Sequence, residues 1–146
     1  MNDLMLMLGW IGITAPMALA TIGSIYGCAI AGQAAIGAML DMEGGYGKYI
    51  GVSVLPSTQA IMGIVIMFSL NRTPTPGIAG GLFGIGILSG IALMLCAIQQ
   101  GICCASAINA TKNKPEIFGL SIAPAAIVEG FAVFIFVFAL VLSTGL

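Results

Sequence analysis

The stretch from Ile122 to Leu140 is apolar almost throughout, and Glu129 is its only charged residue. A bilayer core is crossed by roughly 20 consecutive apolar residues. The run therefore reads as a membrane-spanning helix with a carboxylate deep inside it. Insertion scales charge about 2.5–3.5 kcal/mol for an acid in the middle of such a helix. The cost is relieved when the acid binds a proton or a cation, or when it faces other polar groups. What Glu129 meets is thus the question that constrains the fold and function of the whole chain.

The other segments match that setting. The chain has 146 residues, of which 60% are hydrophobic and 6% charged, too apolar for a soluble domain. The formal net charge of −1 leaves no basic footprint for nucleic acid. Histidine is absent, which removes the commonest general base and metal ligand. Cys28, Cys96, Cys103 and Cys104 all lie in apolar runs without a CxxC spacing, and they read as small reduced packing residues rather than a metal or redox set. The nine methionines read as packing filler. The opening residues, Met1 to Met7, lack the basic region of a signal peptide, so the first apolar segment is expected to be retained as a span.

Four spans follow, at about Trp10–Leu40, Tyr49–Leu70, Ile78–Ala110 and Ile117–Ser143. They are separated by a Gly-rich polar break at 41–48, by Asn71-Arg-Thr-Pro-Thr-Pro-Gly77 with its two prolines, and by Thr111–Glu116. Backbone groups in lipid must pair internally, so each span is expected to be a helix, and the short loops make two antiparallel hairpins. The expected fold is an all-α membrane protein of four transmembrane helices. Its halves are a first hairpin over residues 1–72 and a second over 73–146. Lys48, Lys112 and Lys114 flank the first and third loops, whereas Arg72 lies at the other side. By the positive-inside rule those loops face the cytoplasm and both termini face outward.

The halves look duplicated. Gly27-Cys-Ala-Ile-Ala-Gly-Gln33 in the first span matches Gly101-Ile-Cys-Cys-Ala-Ser-Ala107 in the third, and the stretch from Gln59 to Leu70 matches that from Glu129 to Leu140. Pro56 and Pro124 each stand shortly before the polar residue, so Gln59 holds in one half the place of Glu129 in the other. Gly23, Gly27, Ala31 and Ala35 line one face of the first span, and the third carries Gly80, Gly84, Gly86, Gly90, Gly101 and Ala105. Such faces let helices approach closely in lipid. The fourth span instead carries Phe131, Phe134, Phe136 and Phe138. Small-faced helices inside and bulky ones outside suit a curved two-layer assembly, although a monomeric four-helix bundle would use the glycine faces equally well.

Leu55, Thr58, Gln59 and Met62 recur at helical spacing on one face of the second span. Thr58 and Gln59 bring a hydroxyl and an amide to membrane depth, and Gln99 and Gln100 stand late in the third span. Pro56 has no N–H, so the Val52 carbonyl loses its helical donor and the backbone nearby can offer oxygens. One reading is interhelical hydrogen-bond glue, worth about 0.6 kcal/mol per bond. The other, favoured by their coincidence with Glu129, is an oxygen-lined cation site.

The sequence Leu55-Pro-Ser-Thr-Gln59, with Gln100-Gly101 and Glu129, resembles the proteolipid subunit K of bacterial V-type ATPases, over essentially the whole chain. The resemblance implies a homo-oligomeric rotor ring in the cell membrane. It implies a non-catalytic subunit that carries Na⁺ or H⁺ and needs no bound cofactor. It also implies partners outside the chain, namely a stator subunit with an essential arginine and a central stalk touching the cytoplasmic loops. In sodium-translocating members the ion is held by groups that map here onto Leu55 (carbonyl), Thr58, Gln59, Gln100 and Glu129. A tyrosine that often latches the glutamate in such members is replaced by Met62. No Gly-x-x-x-x-Gly-Lys nucleotide loop is present. A different class stays open, the small multidrug antiporter, also a four-helix protein with one embedded glutamate. Against it, aromatic residues are not gathered beside Glu129 on the cytoplasmic half. A structural or adaptor protein gives Glu129 no purpose.

Overall fold

A computed structural model describes residues 2–146. It is all-helical, with α1 (Asn2–Leu40), α2 (Tyr46–Ser53), a 3-10 turn (Leu55–Ser57), α3 (Thr58–Leu70), α4 (Ala79–Asn113), a second 3-10 turn (Pro115–Ile117), α5 (Phe118–Ser121) and α6 (Ala123–Ser143). Four stretches are long and apolar enough to cross a membrane: α1, then Tyr46–Leu70, then α4, then Pro115–Ser143. The spans expected from sequence are all present. The first extends further toward the N-terminus than its apolar core, because Asn2 to Gly9 continue the helix without a breaker.

The second span is broken at the 3-10 turn that begins with Leu55, and the fourth, which opens on the 3-10 turn at Pro115, is broken at Ile122 between α5 and α6. Pro56 sets the first break, since its ring removes a donor and crowds the preceding turn. The Val52 carbonyl does not stay free, as the sequence had suggested. It accepts the backbone N–H of Val54, which closes the end of α2.

α1 and α4 make the most extensive contact in the molecule, with α3 and α6 laid against them as an outer layer. The seam between α1 and α4 is built from backbone. A side-chain carbon on Gly86 would fall on the Gly12 carbonyl, and one on Gly101 would fall on the backbone of Gly27. Gly23 and Gly27 stand in the same way against the backbone of Met94 and Ala97. Pro16 lies one turn beyond Gly12 and cannot donate to its carbonyl. That carbonyl faces Gly86, where only a Cα–H fits. Not every glycine of α4 takes part: Gly80 and Gly84 have open space where a side chain would be. Phe131, Phe134 and Phe138 point outward from α6, as a lipid- or neighbour-facing surface would.

Two apolar clusters fill the interior. One, around Ile13, Ile66, Leu70, Leu82 and Leu93, holds one end of the bundle. The other, around Ala31, Ala35, Tyr49, Ile108 and Ala125, holds the loop end. The two loops there are tied by an ion pair between Lys112 and Asp41. The buried hydroxyls of Ser89 and Thr111 bond back to carbonyls of their own helix, which is how a hydroxyl is accommodated without water.

Candidate functional site

Glu129 lies fourteen residues from either end of the fourth span, and Thr58 lies twelve from either end of the second. Both are therefore at mid-depth. Glu129 is half-buried in α6, and the side chains that meet it come from the two neighbouring spans.

Three donors converge on one carboxylate oxygen. Gln100 Nε2 donates to Glu129 Oε2 at 2.7 Å, Gln59 Nε2 at 2.9 Å and Thr58 Oγ1 at 3.0 Å. None of these donors reaches Oε1. Gln59 and Gln100 are fully or nearly fully buried, at 0% and 2% exposure, so their amides have no water to fall back on. They are further joined to one another and to the backbone. Gln59 Nε2 donates to Gln100 Oε1 at 3.0 Å, and Gln100 Nε2 donates to the Ala125 carbonyl at 3.3 Å.

The Thr58 hydroxyl lies 3.0 Å from Glu129 Oε2 and 3.1 Å from the Leu55 carbonyl. It has one proton and can serve only one acceptor at a time. When the carboxylate no longer needs that proton, Leu55 is the alternative acceptor one turn back. The Leu55 carbonyl also accepts the Thr58 N–H. It therefore sits at the edge of the site, already hydrogen-bonded.

The break at Pro56 starts a new helix at the site. α3 starts at Thr58, so a helix N-terminus opens at mid-depth with Thr58 and Gln59 as its first two residues. The first N–H groups of a helix lack intrahelical partners and carry partial positive charge. Here the Thr58 N–H is taken by the Leu55 carbonyl and the Ala60 N–H by Ser24 Oγ, and the end meets the Glu129 carboxylate through the Thr58 and Gln59 side chains. An unbroken second span would place no such end there.

One polar atom of the site is left over. Gln59 Oε1 is buried and has no hydrogen-bond partner among the described residues. A buried acceptor without a donor costs about 1–3 kcal/mol. A cation, or a donor that arrives with cargo, would remove that penalty.

The five positions that the resemblance maps as ion ligands gather here: Leu55, Thr58, Gln59, Gln100 and Glu129. Gln99 does not. It is exposed, because one residue of helix rotates a side chain by about 100° away from its neighbour. Met62 is partly buried against the apolar cluster around Ile66. Two groups were missed. The Ala125 carbonyl carries no sequence signal. Ser24 of α1, whose hydroxyl meets the second span at Ala60, stands out in sequence only as a lone hydroxyl on a face of small residues. An apolar groove of about 610 Å³ between α4 and α6 is lined by Gly84, Leu88, Phe131, Phe134 and Phe138 and does not include Glu129.

Comparison with known proteins agrees with this arrangement. The ATP synthase subunit-C family matches twice, over residues 11–70 and 83–142, one match for each hairpin. The chain is 37% identical over 130 residues to the A-type ATP synthase subunit K of Methanocaldococcus jannaschii, covering 86% of this chain and 59% of that one. It is 32% identical over 134 residues to the V-type sodium ATPase subunit K of Enterococcus hirae, covering 86% of each. The chain thus spans about three fifths of the first relative's length and most of the second's. With the family pattern present in both halves and a buried polar cluster joining them, the chain belongs to the ATP synthase subunit-C family and, within it, resembles the proteolipid K subunits of A- and V-type ATPases.

Proposed function

We propose that this chain is a rotor subunit of a V/A-type rotary ATPase and that it carries Na⁺, or H⁺, across the membrane on Glu129. The observation that carries the reading is the convergence of Thr58, Gln59 and Gln100 on Glu129 at mid-span, beside an unpartnered Gln59 Oε1. Two duplicated hairpins, residues 1–72 and 73–146, supply it. The first gives Leu55, Thr58 and Gln59, and the second gives Gln100 and Glu129.

The cycle is electrostatic. An unloaded, ionised Glu129 is stabilised by three donors inside the subunit, and it cannot face hydrocarbon cheaply. A water-filled channel or a stator arginine on another subunit offers it a polar surface. A passenger cation discharges it, after which the subunit can pass through lipid. Moving one charge across the membrane costs about 2.3 kcal/mol per 100 mV. One carboxylate for four helices moves few ions per turn, which suits pumping against a steep gradient.

Loading with Na⁺ asks for oxygens, since a hard cation prefers them. A half-turn of the Gln59 and Gln100 amides would present Oε1 atoms where N–H groups now point. Thr58 Oγ1 offers a lone pair once its proton goes to Leu55, and the Leu55 carbonyl lies at the rim. The unpartnered Gln59 Oε1 and the sodium ATPase relative favour Na⁺. The H⁺ reading needs only Glu129 and one acceptor, and Met62 in place of a latching tyrosine favours it. ATP hydrolysis belongs to other subunits. Further copies of the chain would complete a ring in the cell membrane, with both termini outside and the loops at Gly44–Lys48 and Lys112–Glu116 against the central stalk.

The test is carbodiimide labelling of Glu129 in the purified ring, with and without sodium, at neutral to mildly alkaline pH. Protection by sodium and not by potassium is the expected result. Labelling that ignores sodium overturns the Na⁺ reading. A dimer in mild detergent in place of an SDS-resistant ring overturns the rotor reading in favour of an antiporter.

A further inference from the structure

Ser24 lies outside the cluster just described, yet it makes the one side-chain hydrogen bond between α1 and the second span among the described residues. Its Oγ accepts the backbone N–H of Ala60 at 3.1 Å, and Ser24 is buried. Ala60 is the third residue of α3, counting from Thr58. A helix N-cap side chain ordinarily accepts an N–H at the second or third position. The local candidate, Ser57, does not do so: its hydroxyl donates backward to the Val54 carbonyl at 2.7 Å, and α3 has no side-chain cap of its own. The orphan N–H is satisfied instead from another helix.

Packing holds the same joint on both sides. A side-chain carbon on Gly27, one turn beyond Ser24, would press on Pro56. One on Gly63, one turn beyond Ala60, would press on the Pro16 carbonyl and on Ala20. The broken second span is thus seated on α1 at Pro56, Ala60 and Gly63, and Ser24 supplies the only directional contact of the three. The Ala60 N–H belongs to the peptide that leaves Gln59, so fixing it fixes the backbone from which Gln59 reaches Glu129.

We propose that Ser24 is a positioning residue for the ion site: by capping α3 from outside, it sets the direction in which Thr58 and Gln59 present their polar groups. It touches no cargo. The proposal rests on the ion-carrier reading above. It requires that loss of the Ser24 hydroxyl weaken loading while assembly and the loaded rate survive.

The experiment uses the intact ATPase complex, with wild type, Ser24→Ala and Ser24→Thr. Sodium protection of Glu129 against carbodiimide is titrated, and sodium-dependent ATP hydrolysis is resolved into KM and kcat. Ser24→Ala is expected to raise both the half-protecting sodium concentration and KM about five-fold, roughly what one lost hydrogen bond costs, with kcat within about two-fold. Ser24→Thr, which keeps the acceptor, should return both toward wild type. Equal titrations for wild type and Ser24→Ala overturn the assignment. So does a Ser24→Ala ring that fails to assemble, because Ser24 would then be a packing residue. If sodium fails to protect wild type, it is the Na⁺ reading that has failed. Ser24 is then judged by the labelling rate of Glu129 in sodium-free medium, where an unchanged rate in Ser24→Ala sinks the proposal and a change of about five-fold, restored by Ser24→Thr, upholds it.

Discussion

Gln59 and Gln100, on different hairpins, are bonded amide to amide: Gln59 Nε2 donates to Gln100 Oε1 at 3.0 Å while both amides also donate to Glu129. Neither amide can turn over alone. Reversing Gln59 would aim its oxygen at the Gln100 oxygen, and the clash is relieved only if Gln100 reverses too. On the ion-carrier reading the pair would act as one unit with two settings, one donating to an empty carboxylate and one offering oxygens to a cation, the second at the cost of the Gln100 bond to the Ala125 carbonyl.

That coupling makes the two residues non-additive. Gln59→Leu and Gln100→Leu should each weaken sodium protection of Glu129 about ten-fold or more, and the double variant should be little worse than either single. Interaction energies between contacting residues run to about 0.5–3 kcal/mol. A double-variant loss equal to the product of the single losses would show two independent ligands.

Glu129→Gln keeps the shape of the side chain and removes its charge. The ring should assemble, carbodiimide labelling at this position should vanish, and ATP-driven ion transport by the complex should fall to background. Ion flux measured in proteoliposomes decides it.

Thr58→Val removes the hydroxyl that lies between Glu129 and the Leu55 carbonyl. Thr58→Ser retains it. Val should weaken sodium protection about ten-fold, because it removes an oxygen offered to the cation, and Ser should stay near wild type. Equal behaviour of the two would mean that the site uses the threonine methyl and not its oxygen.

Gly86→Val puts a side chain onto the Gly12 carbonyl. No flexible atom can yield there, so α1 and α4 must separate. A loss of at least about 1–3 kcal/mol, the usual scale of overpacking, should appear as a lower melting temperature of the detergent-solubilised ring. Gly84→Ala, where the space is open, serves as the matched control within the subunit and should leave its stability unchanged.

The Asp41–Lys112 pair ties the two loops, but both partners are partly exposed. Surface pairs contribute about 0–1 kcal/mol, so Asp41→Asn should leave ring stability and transport nearly unchanged. A large effect would place this pair in a contact with another subunit.

Much of this was legible in the sequence. Long apolar runs gave four spans, since lipid permits few alternatives to a helix. Helical spacing put Thr58 and Gln59 on one face, and the resemblance paired them with Gln100 and Glu129. The less legible parts depend on how helices rotate against one another. Gln99 and Gln100 are equivalent as letters, and only packing buries the second and exposes the first. The same rotation turned Gly86, and not Gly84, toward α1. Val52 was expected to expose its carbonyl, but a 3-10 break re-pairs backbone locally, at a cost that composition does not record. Ser24 shows the limit most clearly, because its partner is a main-chain N–H, which every residue but proline has.

The glycine seam between α1 and α4 has a mechanical consequence. Where backbone rests on backbone, no rotamers exist to hop and no long side chains to bend. Any twist imposed at the loop end would reach the opposite end with little slack. If the chain turns as the proposed rotor, such a joint would behave as a stiff spline, and the yielding would fall to the outer layer, where the second and fourth spans are interrupted at Pro56 and Ile122.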